Sequence, residues 1–164
     1  MADRVFNVLF LCTHNSARSV MAEVLLNTIG RARFQAFSAG SMPSGRVNPF
    51  AIEIAKTLGY LTESIRSKSW DEFAKPGAPH MDIIITVCDN AAGEACPFWP
   101  GHPATAHWGF PDPASVEGSD DEKRGAFNQV FQAIRRRIDL LVSLPSEKLE
   151  HLTLADELRR IHTQ

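Results

Sequence analysis

Four short apolar runs alternate with segments of helical spacing, and that alternation constrains the fold more than any other feature of the chain. Val5–Leu11 (VFNVLFL) reads as a strand buried on both faces, and Phe34–Ala39 (FQAFSA) as a second strand. Met81–Val87 (MDIIITV) is β-branched and apolar, as a central strand requires, and Ala104–Trp108 is a weaker fourth. Between the first two, Val20, Met21, Val24, Leu25, Thr28 and Ile29 recur at helical spacing until Gly30. Asn48-Pro49 supplies a cap and a first-turn proline for a helix through Ile52, Ile54, Ala55 and Leu58. Ser69–Phe73 reads as one short helical turn. Ser119 caps a long helix with apolar positions Phe127, Val130, Phe131, Ile134, Ile138, Leu141 and Val142. Arg135, Arg136 and Arg137 in that helix are expected to face solvent. Pro145-Ser146 opens a last amphipathic helix through Leu149, Leu152, Leu154, Leu158 and Ile161. Strand–helix alternation of this kind implies an α/β fold, a doubly wound four-stranded parallel sheet flanked by helices in three layers, α/β/α.

The length of 164 residues suits a single domain over 1–164, with a C-terminal helical extension at about 146–162. Seventeen basic and nineteen acidic residues give a net charge of −2, which gives no reason to expect nucleic acid or an anionic membrane as partner. No apolar run approaches the roughly 18 to 20 residues of a membrane span, and the N-terminus enters a strand without a signal-like region. Three cysteines is an odd number and a poor fit to a secreted disulfide framework. The expectation is a cytoplasmic protein whose thiols are catalytic, redox-active or metal-bound. Zinc is not expected, because no C-x2-C or H-x3-H spacing occurs.

In doubly wound sheets, ligands sit beyond the carboxyl ends of the strands. Cys12 follows the first strand, Cys88 the third, and Asp112 comes shortly after the fourth. Cys12 is joined to Arg18 by the loop Thr13, His14, Asn15, Ser16 and Ala17, and Ser19 continues into the helix. A C-x5-R spacing alone is weak, but this one links a buried strand to a helix N-terminus. Backbone N–H groups there lack intrahelical partners and point toward the loop, so an oxyanion meets fixed donors and the helix dipole. Arg18 adds a planar fork suited to two oxygens of a tetrahedral anion. The same donors stabilise a thiolate: bringing a thiol from a pKa near 8.5 to about 6.5 needs roughly 2.7 kcal/mol. Asn15 and Ser16 are suited to bracing the loop or bonding the sulfur, and His14 is free to face solvent. A nucleotide-binding loop of the Walker type is excluded by the lack of GK[ST]. Asp112, between Pro111 and Pro113, sits in a stiff loop that can aim a carboxyl group.

Strand-CTHNSARS-helix, "FSAG" after the second strand and "HWGFPDPA" at 107–114 together resemble the low-molecular-weight protein tyrosine phosphatase family. Two branches share that fold, tyrosine phosphatases and thiol-dependent arsenate reductases. Phosphatases usually carry an aromatic residue after the Asp-Pro pair, where this chain has Ala114. "VCDNAAGEACPFWPG" has no place in hydrolysis, and Cys12, Cys88 and Cys96 resemble the set of the three-cysteine arsenate reductases.

That resemblance implies the roles. Cys12 attacks arsenate held by residues 13–19, Asp112 protonates the departing oxygen, and Cys88 resolves the adduct. Cys96 passes the disulfide outward to thioredoxin, or glutathione with glutaredoxin serves as donor. Phosphate and sulfate are the expected competing oxyanions. Electrons come from thiols, since no flavin or nicotinamide motif is present and no cofactor is expected. Cys88 and Cys96 are eight apart, one more than in the thioredoxin-linked members. Some relatives bind potassium beside the loop. Asn15, Glu23 and Ser38 match part of such a site, but no acidic ligand stands near Ser67–Ser69 and no metal is expected. The alternative activity is hydrolysis of phosphomonoesters through a Cys12 phosphoenzyme. His107-Trp108 is expected to brace the Asp112 loop, and Trp99 to cover apolar surface. Glu23 is either an exposed helix carboxylate or a partner of the loop.

Overall fold

The computed structural model describes residues 5–87 and 104–150. Its sheet is built from β1 (Phe6–Cys12), β2 (Phe34–Gly40), β3 (Ile83–Thr86) and β4 (Ala104–His107), all parallel, in the order β2-β1-β3-β4. The helices are α1 (Arg18–Ile29), α2 (Pro49–Thr57), α3 (Asp71–Ala74), α4 (Asp120–Val142) and α5 (Ser146–Glu150). The expected four-stranded, doubly wound sheet with flanking helices is therefore what forms. The part of the predicted last helix beyond Glu150 lies outside the described residues. Among the described residues, no helix is long and apolar enough to cross a membrane.

β1 lies between β2 and β3, and its side chains alternate between two cores. Phe6, Val8, Phe10 and Cys12 share one core with Met21 and Leu25 of α1 and Phe127, Ile134 and Ile138 of α4. Leu9 and Leu11 join Trp70, Phe73, Met81 and Ile84 on the opposite face. Because α1 is wedged between sheet and neighbouring helices, every residue from Ser19 to Leu26 is buried. The third apolar run gives a shorter strand than its sequence implies. Asp82 folds its carboxylate onto the Asn7 backbone N–H at 2.8 Å, so regular pairing begins at Ile83.

Local signals set the helix ends. Asn48 caps α2 by accepting from the Phe50 N–H, and Ser119 with Glu122 forms a capping box on α4. Arg33 donates to the carbonyls of Val142 and Leu144, closing the C-terminal end of α4 with a guanidinium. Arg135 and Arg136 face solvent as expected, whereas Arg137 is half-buried, its guanidinium 5.0 Å from the centre of the Phe110 ring. Arg137 lies beside Ile138 at the margin of the apolar stripe, within reach of the segment after β4.

The β1→β2 connection runs to one side of β1 and β3 lies on the other, so the crevice between the ends of β1 and β3 is the switch point of the sheet. The 12–18 loop opens there.

Candidate active site

Cys12 ends β1 with a side chain that is 5% exposed. Helix α1 starts six residues later at Arg18, and its capping position, Ala17, provides no side-chain hydrogen bond. Those helix N–H groups are thus left to whatever the loop encloses. Asn15 has φ of 49°, in the left-handed region that asparagine tolerates better than most residues, and this bends the loop back over the strand end.

The loop carbonyls are held from outside. Thr13 O accepts from the Met42 N–H, His14 O from the Ser44 N–H and the Ser67 hydroxyl, and Ser16 O from the Asn48 N–H. Carbonyls tied outward do not present negative charge to an anion within the loop. Gly40 passes so close beneath that a Cβ there would stand 2.5 Å from Thr13 O and 2.8 Å from Cys12 O. This close approach explains the glycine in FSAG.

Behind the loop lies a buried polar network. The Asn15 amide donates to Ser19 Oγ and Ser38 Oγ, both at 2.9 Å, and its oxygen accepts from the Lys68 N–H at 2.9 Å. Ser38 Oγ donates to Glu23 Oε1 at 2.6 Å, and Lys68 Nζ stands 3.8 Å from the same oxygen. Burial pushes Glu23 above the usual carboxylate range, opposed by the nearby Lys68 charge and the Ser38 hydrogen bond. Burial also pushes the Lys68 amine down, with Glu23 opposing it. Of the two expectations for Glu23, partner of the loop is the correct one.

In front of the loop the packing is more open. Arg18 Nη1 donates to Phe110 O at 2.9 Å, and its Nη2 lies 3.9 Å from Asp112 Oδ2. The Asp112 side chain is 44% exposed against 14% for Arg18. Its other oxygen accepts from the Ala114 N–H at 2.9 Å, capping the turn Pro113–Ser115. Trp108 is fully buried and its N–H donates to Thr86 O, anchoring the segment that leads to Asp112.

The structure thus brings together Cys12, residues 13–19 and Asp112. Ser16 is half-buried, and His14 is exposed with Nδ1 3.1 Å from Met42 O. Cys88, Cys96 and Trp99 lie outside the described residues. Val87, the residue before Cys88, donates its N–H to Leu11 O at 2.8 Å. Sequence reading had no signal for Lys68, for the Phe110 carbonyl or for the Arg137 stack. Gly40 was signalled only within the FSAG resemblance. Among the described residues, no group of three or more His, Cys, Asp or Glu side chains is placed to hold a metal ion.

The arrangement is a buried thiol, a set of helix-terminal N–H donors, a guanidinium and a carboxyl group at the carboxyl edge of the sheet. It can bind a tetrahedral oxyanion and attack its central atom in line. Comparison with known proteins agrees. Residues 7–153 match the sequence model for low molecular weight phosphotyrosine protein phosphatase. An arsenate reductase of Halalkalibacterium halodurans is 37% identical over 131 residues, covering 80% of this chain and 91% of the relative. The crystal structure of an arsenate reductase from Archaeoglobus fulgidus superposes with a TM-score of 0.64 at 29% identity, covering 84% of this chain and 99% of that one. A thioredoxin-dependent arsenate reductase of Corynebacterium glutamicum superposes with a TM-score of 0.56 at 26% identity, covering 86% and 65%.

Proposed function

The chain belongs to the low molecular weight phosphotyrosine protein phosphatase family, and from that premise we propose that it reduces arsenate to arsenite, with Cys12 as nucleophile and protein thiols as the source of electrons. The observation that carries the reading is the buried Cys12 at the end of β1, six residues before an α1 N-terminus that no side chain caps, with Arg18 at that terminus. Residues 13–19 and Arg18 hold arsenate. The Cys12 thiolate forms a sulfur–arsenic bond as one arsenate oxygen departs, and Asp112 gives that oxygen a proton.

The Cys88 thiol then attacks the Cys12 sulfur. The sulfur–arsenic bond breaks, its electron pair stays on arsenic, and arsenite leaves as a Cys12–Cys88 disulfide forms. The pairing of β1 with β3 supports this role. Val87, the residue before Cys88 in the sequence, is tied to Leu11, the residue before Cys12. Cys96 attacks Cys88 next, regenerating the Cys12 thiolate and leaving Cys88–Cys96 for an external donor. Thioredoxin is the donor favoured by the three-cysteine set and by the C. glutamicum relative; glutathione with glutaredoxin is the other.

Arsenate turnover with each donor, in wild type, Cys88→Ser and Cys96→Ser, tests the scheme. Loss of turnover in both variants is expected with thioredoxin. Unchanged turnover in Cys88→Ser overturns the mechanism. Aryl phosphate hydrolysis in the absence of arsenate reduction establishes the phosphatase alternative instead.

A further inference from the structure

We infer that the Lys68 ammonium does the work of a bound monovalent cation behind the oxyanion loop, making Lys68 a positioning residue that fixes the loop through Glu23, Ser38 and Asn15. The inference rests on reading residues 12–18 as an oxyanion loop. Its structural basis is a chain of buried contacts from three separated parts of the sequence. Asn15, Ser19 and Ser38 are fully buried, and Glu23 and Lys68 are each 9% exposed. Lys68 holds both ends of the chain. Its backbone N–H donates to Asn15 Oδ1 at 2.9 Å, and its Nζ lies 3.8 Å from Glu23 Oε1 while donating to Arg66 O at 3.0 Å. Its carbonyl accepts from the Gly40 N–H, directly beneath the loop.

The potassium site implied by the resemblance does not fit here. Its would-be ligands are committed: Asn15 Oδ1 accepts from Lys68 N–H, Ser38 Oγ lies between the Asn15 amide and Glu23, and Glu23 faces the ammonium. A second cation would sit against a like charge in a buried setting, where screening is weak. Arg66, the other cation nearby, is paired with Glu72 at 2.7 Å and is exposed. A buried carboxylate needs a partner to remain charged, and a tethered ammonium supplies one without the entropy of capturing an ion. With Lys68 in place, Ser38 and Asn15 hold one hydrogen-bonded arrangement, and Asn15 holds the left-handed turn of the loop.

Two readouts at matched ionic strength test this, in choline, potassium and ammonium chloride. The first is arsenate kcat/KM. Wild type is expected to be equal in all three salts. Lys68→Ala is expected to fall about tenfold or more in choline and to recover in ammonium or potassium, as removal of an indirect electrostatic partner allows. Lys68→Met, which fills the space without charge, is expected to fall and not recover. The second readout is the 240 nm thiolate absorbance of Cys12 against pH in a Cys88→Ser/Cys96→Ser background. Its midpoint is expected to move upward with Lys68→Ala and return with ammonium. This titration needs no turnover, so absence of arsenate reduction defeats the proposed activity while leaving the Lys68 test intact. Stimulation of wild type by potassium overturns the inference, and needs no variant. So does Lys68→Ala with wild-type behaviour in choline, or a folded Lys68→Ala whose defect no small cation relieves.

Discussion

The two walls of the oxyanion loop are built on opposite principles. The wall behind it, Asn15, Ser38, Glu23 and Lys68, is buried and linked by hydrogen bonds and one ion pair, each member meeting the next. The wall in front, Arg18 and Asp112, meets at 3.9 Å, with Asp112 nearly half exposed and carried on a proline-flanked turn. A buried polar network has one satisfied arrangement, so it sets geometry before substrate arrives. A loose, exposed ion pair contributes little to stability, and its members are free to exchange each other for a ligand. On the proposed mechanism, the back wall serves preorganisation and the front wall chemistry.

Substitutions on the two walls separate these roles. Arg18→Lys retains the charge and removes the fork. Arsenate kcat/KM is expected to fall about 10³-fold, the upper range for losing an oxyanion donor, with the thermal midpoint close to wild type. Asp112→Asn is expected to lower kcat about 10²-fold with little change in KM, because a general acid acts in the transition state. A front-wall variant that unfolds the protein breaks the comparison.

On the back wall, Asn15→Ala removes three buried hydrogen bonds and places a residue ill-suited to a φ of 49°, with an expected loss of about 2–3 kcal/mol in denaturant unfolding. Asn15→Gly restores the backbone freedom alone and is expected to recover only part of that loss. Full recovery would assign Asn15 to backbone conformation and remove the network from the account. Glu23 gives the smallest effect. Burial raises its pKa above the ordinary 4.5, so between those values the native state holds a proton that the unfolded chain has released. Its contribution therefore makes stability fall as pH rises through that window. Glu23→Gln is expected to flatten the slope of midpoint against pH, and an unchanged slope refutes the assignment.

The same contrast explains what was legible in the sequence. The front wall and the nucleophile are local: a strand end, five loop residues, a helix start and a Pro-Asp-Pro turn each carry their signal in neighbouring residues. The Ser119 capping box and the cap at Asn48 are legible for the same reason. Lys68 is not. It stands between two serines, and its burial arises because Gly40 and Ser69 form a bridge that lays residues 66–70 beside the end of β2. A lysine in an otherwise polar stretch reads as solvated until that pairing is known. Arg137 fails for a related reason, since the run of three arginines masks the one that reaches Phe110. β3 is shorter than its apolar run implies because a side chain, Asp82, competes for a backbone donor, which apolar patterning does not register.

The neighbouring placement of β1 and β3 joins the fold to the proposed reaction, and a single-turnover experiment tests it most directly. Fully reduced enzyme is mixed with excess arsenate and no external thiol, and arsenite and remaining free thiols are counted. The account predicts one arsenite and the loss of two thiols per chain, with Cys88 and Cys96 the pair oxidised, Cys12 returned to the thiol, and neither change seen in Cys88→Ser. Arsenite formed equally by Cys88→Ser, or none formed by wild type until glutathione is added, would contradict it.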